Sequence, residues 1–267
     1  MRQLKMFMTS LMLISVTVTA QSRETLTITL TPELCEMTTL HLPDGSIPSP
    51  ETLAKDAYCA QRLLKSHAPK GAITIFGSAR TKPDQDMYQL ARDFAFKWTQ
   101  KWGHTYPILT GGGRGIMEAG NRGAFEAKGK SLSIGTRFSS GMEKPNLYTT
   151  HSYMATSFAQ READLVDYAR AIVVLPGGFG TEWEVYESLS KVQTRKKNQV
   201  PVILLGGRRA WTSLILRIED MKAQGTIAPA DVNLYQAVDT ADQAVLALEQ
   251  ALGGMTENTS PAPHMLH

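Results

Sequence analysis

Residues 171–193 read AIVVLPGGFGTEWEVYESLSKVQ, and their interpretation decides the fold. Ala171–Leu175 is a short run of apolar, mostly β-branched residues, the composition of a strand covered on both faces. Pro176-Gly177-Gly178 breaks the run, and Thr181–Thr194 resumes at helical spacing. A glycine turn of this kind leaves backbone N–H groups open to a ligand. The helix start adds unpaired N–H groups and the positive end of a dipole. An anion is the expected guest, yet the helix opens with two acids, Glu182 and Glu184.

Two readings account for these acids. Thr181-x-x-Glu184 has the spacing of a capping box, with Glu182 as a first-turn acid favoured by about 0.3–1 kcal/mol. The alternative is a ligand with two charges at different times: a permanent phosphate for the amides and a transient cation beside the acid. Cleavage of a ribose N-glycosidic bond meets that description, because an oxocarbenium-like centre forms a few bonds from the 5′-phosphate.

Outward from this stretch the pattern repeats. Ala72–Phe76 is an apolar strand ending at Gly77, and Asp84–Trp102 follows as a helix with Leu90, Phe94 and Trp98 at helical spacing. Pro107–Leu109 leads into Gly111-Gly112-Gly113, then a helix over Ile116–Lys128. Leu132–Ile134 and Tyr148–Tyr153 are expected strands, and Thr156–Tyr168 a helix. Val202–Leu205 is a further strand, with closing helices over Arg209–Lys222 and Ala241–Leu252. Before the Pro69-Lys70-Gly71 break, a helix is expected over Glu51–Ser66, with Leu53, Ala57, Ala60 and Leu64 near its buried face. Alternation of this kind predicts an α/β, Rossmann-like three-layer architecture, a parallel sheet with helices on both faces.

Ligands in such sheets bind beyond the carboxyl ends of the strands. Three strands end in small residues there: Gly77-Ser78-Ala79, Gly111-Gly112-Gly113 and Pro176-Gly177-Gly178, expected to meet along one edge. The Gly111–Gly115 and Gly177–Gly180 loops are the candidate anion cradles. Neither continues as a Walker loop, and Ile116 stands where a dinucleotide fingerprint needs its last glycine. The plainer reading of either loop is a turn that only needs positive φ.

Composition narrows the partners. A net charge of +3 over 267 residues is modest and scattered. The Arg195-Lys196-Lys197 triplet is placed to cap a helix C-terminus, so no nucleic-acid partner is expected. Two cysteines, Cys35 and Cys59, indicate neither a disulfide scaffold nor a zinc site, and the six histidines show no metal-ligand spacing. Residues 1–22 combine a basic start (Arg2, Lys5), an apolar stretch from Met6 to Val18 and a Val18-Thr19-Ala20 cleavage pattern. They fit a secretory signal peptide, too short for a membrane span, or an extension without an export role. The expected organisation is this segment, an irregular arm plus helix over 23–69, the α/β domain over 70–252 and a disordered tail over 253–267.

Pro176-Gly177-Gly178-Phe179-Gly180-Thr181-x-x-Glu184 resembles the PGGxGTxxE signature of the LOG ("Lonely Guy") family, cytokinin riboside 5′-monophosphate phosphoribohydrolases formerly described as lysine decarboxylases. Phe76-Gly77-Ser78-Ala79-Arg80, the run TGGGRGIMEAGNRGAFEAKGKSLSIG (110–135), Pro145-Asn146-x-Tyr148, Phe158-x-x-Arg161 and Val192-Gln193-Thr194 resemble further family segments in the same order. The likeness covers roughly residues 70 to 250. It implies hydrolysis of a nucleoside 5′-monophosphate, AMP or an N6-substituted AMP, to free base and ribose 5-phosphate. Arg161 and Glu184 match the catalytic pair. Gly177, Gly178, Gly180 and Thr181 match the phosphate loop, and Gly77, Ser78, Gly111, Gly112 and Gly113 match loops that line the nucleotide.

The resemblance further implies no metal or organic cofactor, a homo-oligomer of two or more chains, and a cytoplasmic location. A working signal peptide would instead place the protein in the periplasm or outside the cell. Three positions depart from the family pattern: Glu162 where lysine is frequent, Trp183 where an acid is common, and Arg114 where proline is common. Glu162 is expected to remove a positive charge near the phosphate. The rival reading is a non-catalytic nucleotide sensor of the same superfamily. A dehydrogenase lacks its glycine fingerprint, and a pyridoxal-dependent decarboxylase lacks a lysine in a Schiff-base setting.

Overall fold

The strands foreseen from the apolar runs form, the first and sixth at the expected boundaries and the others shifted by one to three residues. They are β1 (Ala72–Phe76), β2 (Ile108–Thr110), β3 (Ser131–Thr136), β4 (His151–Ala155), β5 (Ala169–Val174) and β6 (Val202–Leu205). A seventh, β7 (Gln236–Val238), is an addition. The structure is a computed structural model and describes residues 31–36, 47–136 and 145–256. Residues 1–22 and the end of the tail beyond 256 lie outside the described residues. The order is β4-β3-β2-β1-β5-β6-β7, and every pairing is parallel.

The helices are α1 (Glu33–Glu36), α2 (Pro50–His67), α3 (Asp86–Trp102), α4 (Ile116–Glu126), α5 (Phe158–Asp167), α6 (Phe179–Gln193), α7 (Gly207–Ala210), α8 (Thr212–Ala223) and α9 (Ala241–Thr256). They cover both faces of the sheet, as the near-continuous apolar strands require. Alternate strand residues feed two cores. Phe76, Ile172, Val174 and Leu204 pack with Leu64 of α2, Leu165 of α5, Val185 of α6 and Ile218 of α8. Ile73, Ile75, Val173 and Ile203 pack on the other side with Phe94 and Trp98 of α3, Ile116 of α4 and Leu248 of α9.

Several local expectations are corrected. Leu53 is exposed and Ala57 half-buried, because α2 turns Asp56, Cys59, Ala60 and Leu64 inward. Asp56 is fully buried and accepts hydrogen bonds from Tyr153 Oη (2.8 Å), Thr156 N (2.9 Å) and Ser157 N (2.6 Å). A carboxylate with three donors tolerates burial, and here it clamps the entry to α5. The helix expected within 23–69 forms as α2 and packs into the core through Cys59, Ala60 and Leu64. Cys35 and Cys59 form a disulfide between α1 and α2, their Cα atoms 5.5 Å apart. Sequence gave no sign of this pairing, since the contact arises only when α1 folds back along α2.

The strand expected from Tyr148 begins at His151 instead. Asn146 holds the preceding residues in a turn, its Oδ1 accepting from Tyr148 N (3.1 Å) and its carbonyl from Thr149 Oγ1 (3.0 Å). The Arg195–Lys197 triplet does follow the C-terminus of α6, where Lys197 Nζ donates to Asp167 O (2.8 Å). α9 continues four residues past the expected boundary at 252.

Candidate active site

The sheet order reverses between β1 and β5, and that switch point is where an open parallel sheet leaves a crevice. The loops after these two strands form a cleft of about 970 Å³. Gly77, Ser78 and Arg80 line one wall, Pro176–Thr181 line another, and Phe158, Arg161, Glu162 and Glu184 complete it. The volume suits a ligand the size of a nucleotide.

α6 begins at Phe179 with Gly178 as N-cap and no side-chain cap. The capping-box reading of Thr181 and Glu184 is therefore incorrect: Thr181 is already the third helical residue. The first intrahelical bond is Glu182 N–H to Gly178 O, 3.0 Å. The N–H groups of Phe179, Gly180 and Thr181 precede that ladder and are left for a guest. Adding a Cβ at Gly178 or Gly180 meets no atom within 4 Å, and neither residue has positive φ. Their lack of side chains serves the space in front of them rather than the turn. Gly177 differs, since a Cβ there would stand 2.1 Å from Thr181 Oγ1 and 2.9 Å from Ser78 N.

The third glycine loop does not line this cleft. Gly111, Gly112 and Gly113 border a separate narrow crevice with Gly135, Pro145 and Met154. Gly112 and Gly115 have φ of +77° and +66°, so the plainer reading of this loop, a turn needing positive φ, holds. A buried polar network fixes its shape. Thr110 Oγ1 accepts from Gly112 N (2.9 Å), and Asn146 Nδ2 donates to Gly113 O (3.0 Å) and Asn121 Oδ1 (2.8 Å). Gly111 acts indirectly: a Cβ at that position would lie 1.8 Å from Arg161 Nη2. It makes room for the arginine.

Arg161 is almost buried. Nε donates to Ile134 O (3.1 Å) and Nη1 to Glu162 Oε1. Among the described residues its ion-pair partner is Glu162, not Glu184, Asp164 or Asp167. Glu162, read from sequence as a lost positive charge, is instead the arginine's direct partner. Glu184 lies one turn inside α6, 9% exposed. Burial, then the neighbouring Glu162 charge, push its carboxyl well above the ordinary carboxylate range, against the pull of Arg161. Phe179 and Trp183, 98% and 62% exposed, stand on the same stretch of helix.

Another buried acid lies behind the site. Asp164 takes one hydrogen bond from Gln160 Nε2 (3.0 Å), and its Oδ2 has no partner among the described residues. Burial pushes its carboxyl from 3.8 up to about 7. A raised carboxyl stabilises the fold fully below pH 4, and that contribution is lost as pH rises through about 7. The Asp164→Asn protein is expected to gain on the order of 2 kcal/mol over the parent at pH 8 and nothing at pH 4. Denaturant unfolding at the two pH values checks it, and a gain independent of pH would refute it.

A family model described as "possible lysine decarboxylase" matches residues 117–248. The probable cytokinin riboside 5′-monophosphate phosphoribohydrolase LOGL5 of Oryza sativa subsp. japonica is 30% identical over 108 residues, 40% of each chain. Cytokinin riboside 5′-monophosphate phosphoribohydrolase LOG3 of Arabidopsis thaliana is 31% identical over 91 residues, 34% of this chain and 42% of its own. Part of this chain is thus similar to LOG-family proteins. The chain spans about two fifths of the length of the curated relatives it matches. Among solved structures, the molybdenum cofactor carrier protein of Chlamydomonas reinhardtii superposes with a TM-score of 0.52 at 21% identity, over 68% of this chain and 98% of its own. That likeness is one of fold.

The family-model match spans Arg161, Glu184 and the whole signature loop, and it leaves out β1, the loop with Gly77 and Ser78, and α2 with Asp56. The older decarboxylase label finds no chemical support at the cleft, since none of the described residues lining it is a lysine.

Proposed function

We propose that the protein hydrolyses the N-glycosidic bond of a nucleoside 5′-monophosphate, AMP or an N6-substituted AMP, to free base and ribose 5-phosphate. The observation that carries this reading is the placement of Glu184. It is a buried carboxyl on the wall of the cleft, one turn beyond the open N–H groups of Phe179, Gly180 and Thr181. A phosphate on those amides is held by the helix dipole and by hydrogen bonds that need no reorganisation. The ribose then lies toward Glu184, whose charge stabilises the cation developing at C1′ or orients the attacking water. Such preorganised electrostatics commonly lower a barrier by a few kcal/mol. Arg161, seated in the space that Gly111 leaves, holds Glu162 and supplies the one positive charge on this wall.

Phe158 and Phe179 line the cleft, Trp183 follows on α6, and all three are exposed, which supports a homo-oligomer in which a second chain closes the cleft. The Cys35–Cys59 disulfide fits an oxidising compartment, which supports the periplasmic or secreted alternative over the cytoplasmic one.

A panel of monophosphates and their nucleosides, with released bases resolved by chromatography, tests the activity. Base is expected from a monophosphate at least about 100-fold faster than from its nucleoside, because the loop is built for the phosphate. Equal turnover of adenosine and AMP would overturn the reading. Saturable binding of AMP with no base released over hours would establish the sensor alternative.

A further inference from the structure

At the cleft wall, two acids face one base. Arg161 Nη1 donates to Glu162 Oε1, while Glu162 Oε2 is buried with no hydrogen-bond partner among the described residues. Glu184, from the neighbouring helix, stands against Glu162. Their exposures are 4% and 9%. The other charged groups that face the pair are few. Glu187, one turn along α6, is ion-paired with Lys191 at 2.8 Å, and Arg80 lies on the opposite wall of the cleft.

Two ionised carboxylates here would leave one oxygen without a donor and one negative charge without a counterion, each an expensive arrangement in a buried site. A single proton between them removes both costs. It turns the orphaned oxygen into half of a hydrogen bond and leaves one net negative charge for the guanidinium.

We propose that Glu162 and Glu184 share one proton and that this carboxyl pair donates it to the departing base, making Glu162 a second acid of the catalytic centre. The inference rests on the phosphoribohydrolase reading and deepens it. In the step, the C1′–N bond breaks and its electron pair goes to the base, which takes up the shared proton on a ring nitrogen. Water adds to C1′, and the proton it loses returns to the pair, which is then ready for another turnover. No outside oxidant, reductant or second substrate is needed. The upward displacement of the Glu184 carboxyl, caused by burial and by the Glu162 charge, is in keeping with a proton held at neutral pH.

The test compares the parent, Glu162→Gln and Glu162→Asp on two substrates. One is AMP; the other is ribose 5-phosphate bearing p-nitrophenol at C1, whose leaving group departs without protonation. Glu162→Gln is expected to lower kcat on AMP about 100-fold, with KM within about threefold, and to leave kcat on the nitrophenyl substrate within about threefold. Its alkaline limb on AMP should move to lower pH, because Glu184 without its charged neighbour releases its proton more readily. Glu162→Asp should recover about tenfold of the loss.

Equal loss on both substrates would make Glu162 a positioning group and overturn the donation, as would a variant indistinguishable from the parent. A parent inactive on both substrates would sink the phosphoribohydrolase reading and the donation with it. Infrared spectra decide the shared proton independently. In an Asp164→Asn background, which removes the other raised acid, a carboxylic acid carbonyl band is expected at neutral pH and should vanish on adding Glu162→Gln. No such band in the Asp164→Asn protein would overturn the sharing.

Discussion

Glu184→Gln is expected to lower kcat for base release by about 10³-fold while leaving the fold intact. The side chain is buried beside Glu162, where its ionised form would meet desolvation and like-charge repulsion. Gln has nearly the same shape and no charge to bury, and its Nε2 can donate to the orphaned Glu162 Oε2. Stability should therefore hold or rise. Stopped assays with AMP, together with a thermal melt, measure both effects. An active Glu184→Gln enzyme would remove the carboxyl from the chemistry altogether.

The second large effect separates glycines that look alike in the sequence. Gly180→Leu puts a side chain into open space at the start of α6, where leucine favours the helix over glycine by roughly 0.5–1 kcal/mol. The variant should fold at least as well as the parent, yet its KM for the monophosphate should rise on the order of 100-fold, the loss of about 3 kcal/mol of phosphate binding. Gly177→Ala should do the reverse. Its Cβ collides with Thr181 Oγ1 and the Ser78 backbone, so overpacking costs about 1–3 kcal/mol of stability. Paired KM and unfolding measurements would show the crossover. Should both variants lose stability alike, the open space at Gly180 has no functional meaning.

Much of the architecture was legible because it rests on local periodicity. The runs Ala171–Leu175 and Val202–Leu205 are apolar throughout and Ala72–Phe76 is apolar but for Thr74, as expected for strands covered on both faces. β7 went unread because its three residues, Gln-Ala-Val, are too few and too polar to carry a period. Helix α2 was found but turned wrongly: Leu53 outranks Asp56 on any hydrophobic scale, and only the three donors waiting at the start of α5 reverse that order. The signature loop does run as a glycine turn into the start of α6. In the 111–115 loop, Gly112 and Gly115 take positive φ and Gly111 clears space for Arg161, roles that spacing alone does not distinguish from an anion cradle.

By itself, the sequence determined the alternation of strands and helices, the parallel sheet, and the position of one glycine loop running into a helix with Glu184 a turn inside. Each depends on residues within a few positions of one another, where spacing and φ preference act directly. Tertiary structure decided that Glu184 is not part of a capping box, what Arg161 holds, and that Glu162 lines the cleft. Those outcomes depend on how α5 packs beside α6, on the room left by Gly111, and on two acids brought together from residues 22 positions apart, as 184 − 162 gives. Burial then fixes their charge, and no spacing rule within one helix reports it.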